Sequence, residues 1–66
     1  MTVQVNGESR DVADGLTVVG LLAALGLRSG QVAVEMNGEI VPRREHETRS
    51  VPAGARLEIV HFVGGG

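Results

Sequence analysis

With 66 residues, the chain reads as one small domain. A domain of this size buries about 60% of the surface its unfolded chain exposes, and with no cysteine it has neither a disulfide nor a thiolate-bound zinc to reinforce it. The 42% hydrophobic content can supply a single apolar core, while a net charge of −2 with interspersed signs leaves no basic patch for a phosphate backbone. A single aromatic residue offers no platform for stacked bases, so nucleic-acid binding is excluded. Residues 16–27 form the longest apolar run, too short to span a bilayer. That run follows Asp11 and Asp14 rather than a basic segment, so it does not read as a signal peptide. A cytoplasmic protein without membrane contact, monomeric when free, is expected. All six basic residues are arginines, so no lysine amine on this chain can attack an activated carboxyl group of another copy.

Met1, Val3 and Val5 alternate with Thr2, Gln4 and Asn6, the period of a half-buried strand. Asn6-Gly7 is a hairpin signal, because both residue types tolerate positive φ. The return strand, residues 8–12, is polar and suits an exposed position, and Ala13-Asp14-Gly15 turns the chain. Thr17 is placed to cap a helix. Val18, Leu21, Leu22 and Leu25 then form one apolar stripe, and Gly26 suits the left-handed residue that ends it. Gly20 weakens the helix but offers a close approach to a sheet. Arg28-Ser29-Gly30 reads as a loop, Val32, Val34 and Met36 as the inward side of a third strand, and Asn37-Gly38 as a second hairpin turn. Glu39-Ile40-Val41 is a short strand whose pairing Pro42 ends or confines to an edge. Residues 43–49 are charged and aperiodic, as in a surface turn or single helical turn. Val51 returns the chain to the core, and Pro52-Ala53-Gly54 is a tight turn.

The last strand covers residues 56–63. Leu57 and Ile59 point one way, and Glu58, Val60 and Phe62 the other. Two hairpins around one helix predict a two-layer α+β domain with a mixed sheet of four or five strands over residues 1–63. One helix covers one sheet face. If Leu57 and Ile59 face it, Val60 and Phe62 lie on the uncovered face, where an exposed apolar pair marks a docking surface. Alternation alone leaves a second placement open, with Phe62 folded over an edge of the core. Gly64, Gly65 and Gly66 follow as a tail ending in a carboxylate.

The segment Met36-Asn37-Gly38-Glu39-Ile40-Val41-Pro42-Arg43 is similar to an Asn-x-x-Ile-Val-Pro-Arg stretch of the ThiS family. Pro52-Ala53-Gly54-Ala55-Arg56-Leu57-Glu58-Ile59 is similar to that family's turn into its last strand, and residues 58–66 to its apolar, di-glycine ending. Over essentially its whole length the chain resembles these ubiquitin-like β-grasp sulfur carriers of thiamine biosynthesis. The resemblance implies a carrier acted on by enzymes rather than an enzyme, with no cofactor of its own. A ThiF-like adenylyltransferase would activate Gly66 with ATP, and sulfur from a donor such as a cysteine desulfurase would replace AMP to give a thiocarboxylate. A ThiG-like thiazole synthase would then take the sulfur. Gly64, Gly65 and Gly66 would enter the partner's active site, with Val60, Phe62, Val63 and Arg43 as docking residues. Glycines suit that task, since without Cβ the backbone passes a narrow channel, and three residues reach at most roughly 10 Å.

His46 and His61 are too few for a metal site without supporting ligands, and a structural role is favoured for both. His61 shares the phase of Leu57 and Ile59, which places it at the margin of the core. Arg43, Arg44, Glu45, Glu47 and Arg49 read as a solvated surface, with docking of an acidic partner by Arg43 and Arg44 as the sharper alternative. No glycine-rich loop follows a strand and opens a helix, so any ATP belongs to a partner. Three other readings remain: a carrier for molybdopterin or cysteine synthesis, a ubiquitin-like modifier joined to lysines through Gly66, and a plain binding domain.

Overall fold

The computed structural model describes residues 1–62. Its elements run β1 (Thr2–Val5), β2 (Glu8–Asp11), α1 (Val18–Ala24), β3 (Val32–Met36), β4 (Glu39–Val41) and β5 (Arg56–His61), with 3-10 turns at Ser29–Gln31 and Arg43–Glu45. Both Asn-Gly pairs make hairpins, and each adopts positive φ at both residues: 51° and 84° at Asn6 and Gly7, 52° and 84° at Asn37 and Gly38.

The hairpins do not lie side by side. In the five-stranded sheet the order is β2-β1-β5-β3-β4, so β5 separates them. It runs parallel to β1, with Val5 opposite Leu57, and antiparallel to β3, with Val34 opposite Ile59. The turn asparagines hold it from both sides. The Asn6 side-chain amide donates to the Ile59 carbonyl (3.0 Å) and accepts from the Ile59 N–H (2.7 Å), which continues the parallel ladder past the end of β1. Asn37 Oδ1 accepts from the Arg56 N–H (2.9 Å).

One face of this sheet and the stripe of α1 make the core. Val3, Val5, Val32, Val34, Met36, Val41, Leu57 and Ile59 from the strands meet Val18, Leu21 and Leu22 from the helix, with Val51 and Ala55 closing it. Leu25 packs at its margin. The helix has seven residues and cannot hold alone, so its ends are satisfied by tertiary contacts. Thr17 Oγ1 accepts from the Gly20 N–H (3.3 Å), as its cap position predicts. The Val18 and Val19 N–H groups donate to the carbonyls of Arg49 (2.9 Å) and His46 (2.7 Å). At the other end Gly26 sits at φ 76°, and bonds from Gly26 N–H to Ala23 and from Leu27 N–H to Leu22 close a Schellman motif.

Residues 43–49 are therefore more than a solvated turn. They supply two acceptors to the helix start, and they bury His46 at 1% exposure. Gly20 is also corrected: a Cβ there would meet Leu16 Cδ2 at 3.2 Å, so the space it saves lies against the preceding turn, not the sheet.

A candidate partner-facing surface and the chain end

The strand that leads to the terminal glycines is the centre of the sheet, and its two sides face different surroundings. Leu57 and Ile59 are buried against the helix layer, whereas Val60 is 63% and Phe62 60% exposed. Phe62 is thus no edge of the core. Its N–H donates to the Gln31 carbonyl (3.0 Å), which fixes the backbone where the strand leaves the sheet. Val60 lies opposite Ala33, itself exposed, and Ile40 on β4 adds a further apolar side chain, 70% exposed, to the same uncovered face. His61 departs from its expected place. It pairs with the buried Val32, yet it is itself exposed.

Arg43 stands at the same end of the molecule but off that face. A Cβ on Gly30 would come within 2.9 Å of its guanidinium, so the absence of a side chain at position 30 seats the Arg43 head beside the residue next to Gln31. Arg43 borders a shallow groove of about 560 Å³ together with Val19, Ser29, Arg44 and Glu47. The docking candidates Val60 and Phe62 therefore share one face, while Arg43 flanks the strand end from the helix side. Val63 and the tail candidates Gly64, Gly65 and Gly66 lie outside the described residues.

Beneath the groove sits His46, whose position sequence reasoning missed. Its Nε2 lies 3.1 Å from the Val41 carbonyl and its Nδ1 2.5 Å from Ser29 Oγ. A carbonyl only accepts, so Nε2 carries the proton and Nδ1 accepts from the Ser29 hydroxyl. The imidazole thereby joins the end of β4 to the turn that seats Phe62. The opposite end of the sheet holds the chain start: the Thr2 carbonyl accepts from Gly54 just ahead of β5, and the Met1 ammonium lies 2.9 Å from Asp14 Oδ1. The hydrogen bond from that ammonium, and then its charge, hold the Asp14 carboxyl below its ordinary pKa. Among the described residues no three His, Cys, Asp or Glu side chains gather as metal ligands, and no helix is long and apolar enough to cross a membrane.

The crystal structure of the thiamine biosynthesis protein ThiS from Geobacter metallireducens matches the whole chain over its own whole length, at a TM-score of 0.85 and 38% identity. Its solution structure gives a TM-score of 0.79 over 88% of that chain. Thiazole synthases of Paramagnetospirillum magneticum and Magnetococcus marinus are 47% and 38% identical across all 66 residues. The chain spans 20% of the length of each of these synthases. An uncharacterised protein of Porphyra purpurea is 30% identical over 93% of its own length. The ThiS family profile matches residues 3–66, and with the ubiquitin-like β-grasp fold in place the chain belongs to the ThiS family.

Proposed function

We propose that this chain carries sulfur on its C-terminal glycine for the formation of the thiamine thiazole ring. The observation that carries the reading is the extent of the family match, which runs through the three glycines to residue 66. A carboxylate is a poor electrophile. Adenylation of Gly66 by a ThiF-like partner, using the partner's ATP, gives it AMP as a leaving group. The terminal sulfur of a persulfide on a partner cysteine, itself loaded by a donor such as a cysteine desulfurase, attacks the Gly66 carbonyl and displaces AMP to give an acyl disulfide. A second thiol, which this cysteine-free chain does not supply, then attacks the partner's sulfur, leaving a disulfide there and releasing the thiocarboxylate. The chain then acts as a protein cosubstrate with no catalytic residue of its own. Its globular body supplies the contacts, through Val60, Phe62, Val63 and Arg43, while Gly64, Gly65 and Gly66 pass the reactive atom into the partner's site.

Thiazole synthase is the proposed sulfur acceptor. In the two synthases named above a segment like this entire chain shares one polypeptide with four-fifths of additional sequence, which supports carrier and synthase working together. Co-expression with the adenylating partner and a sulfur source is expected to raise the mass of the chain by the difference between sulfur and oxygen, localised by fragmentation to Gly66. An increase that maps to any residue other than Gly66 refutes the proposal.

A further inference from the structure

We infer that the uncovered sheet face recognises a basic side chain of the adenylating partner through the paired carboxylates of Glu35 and Glu58. This rests on the reading of the chain as a carrier that docks through Val60 and Phe62. Glu35 and Glu58 are direct cross-strand partners on β3 and β5. Their neighbours Val34, Met36, Leu57 and Ile59 are all buried on the helix side, so both carboxylates point to the uncovered face. Like charges directly opposite one another destabilise a sheet. Among the described residues no ion pair takes up either carboxylate: the ion pairs join Met1 to Asp14, Arg10 to Glu8 and Arg49 to Glu45. Arg56, two residues before Glu58 on the same face, borders a shallow groove with both glutamates yet pairs with neither.

The position of the pair says what must cover it. Ile40 flanks Glu35 across β4, and the next row toward the strand end is Ala33 and Val60. Rows on one strand face are about 7 Å apart, and a standard interface covers roughly 800 Å² per partner. A partner that buries Val60, Phe62 and Ile40 therefore also takes both carboxylates out of water. Burying them unpaired is prohibitive, so the partner must bring an arginine or lysine to this spot, set within an apolar surface.

Association of the full chain with its adenylating partner, followed by stopped flow across a range of salt, tests this. E35Q/E58Q is expected to unfold at higher denaturant than the parent, because a repulsion is removed. Its association rate at low salt should nevertheless fall about tenfold and lose most of its salt dependence. E58R, which creates a cross-strand ion pair with Glu35, should likewise be more stable and slower to associate. F62A serves as the reference, slowing association or hastening dissociation at every salt concentration. If E35Q/E58Q associates like the parent while F62A is impaired, the acidic contact is refuted and the docking face stands. If F62A also binds like the parent, the docking face itself is refuted, and this inference with it.

Discussion

Single residues here carry contacts that join distant parts of the chain. His46 touches Ser29 and Val41, and its own carbonyl accepts from Val19, so one residue links two turns, a strand end and the helix start. His46→Ala removes a buried ring and leaves the Ser29 hydroxyl without its acceptor, at an expected cost of about 2–4 kcal/mol. Chemical denaturation should show that loss, and His46→Ala combined with Ser29→Ala should cost less than the sum of the two. The structural role of His46 was expected, but its burial was not legible in the sequence. It sits among Arg43, Arg44, Glu45 and Glu47, a stretch with the composition of a solvated surface. What buries it is a serine 17 positions away, and periodicity is blind to such a contact. Thr17 and Gly26 were legible because a cap and a left-handed stop are local matters, decided by a few adjacent residues.

Among the elements, β5 depends most on borrowed hydrogen bonds. β1 ends at Val5, so the edge of β5 beyond Leu57 has no strand on that side, and the Asn6 amide stands in for one more residue of backbone. Asn6→Ala loses both bonds to Ile59 and places alanine at positive φ, and about 2–4 kcal/mol of stability should go with it. Hydrogen exchange is the sharper measurement: the Ile59 amide should lose protection first, while the amides of β3 change little. Both Asn-Gly pairs announced their hairpins, since the turn type demands left-handed residues. Their second use did not show, because neither side-chain amide has a local partner; each reaches a strand that begins far downstream. The helix shows the same limit. Its stripe and cap were readable, whereas the acceptors at its start come from Arg49 and His46.

At the scale of the molecule, one strand divides the labour between its two sides. Leu57→Ala empties a site buried beneath the helix and should cost about 2–5 kcal/mol. Phe62→Ala, on an exposed side chain, should shift the unfolding midpoint by no more than about 0.5 kcal/mol. Parallel denaturation curves of the two variants check this; equal losses would put Phe62 in the core. Side-chain alternation set out that division, with one face for Leu57 and Ile59 and the other for Val60 and Phe62. It did not order the sheet, because two hairpins and a final strand fit together in several ways until tertiary packing selects one. The selected order has a consequence for how the protein comes into being. The first and last strands are parallel neighbours, and the two hairpins have no direct pairing with each other. A growing chain can close its first hairpin early, yet the sheet stays in two halves until residues 56–61 arrive. Folding must therefore wait for a contact between the chain's extremes, a slow, non-local step. The strand nearest the glycines is also the keystone, so a polypeptide broken off short of it has no assembled sheet face at all.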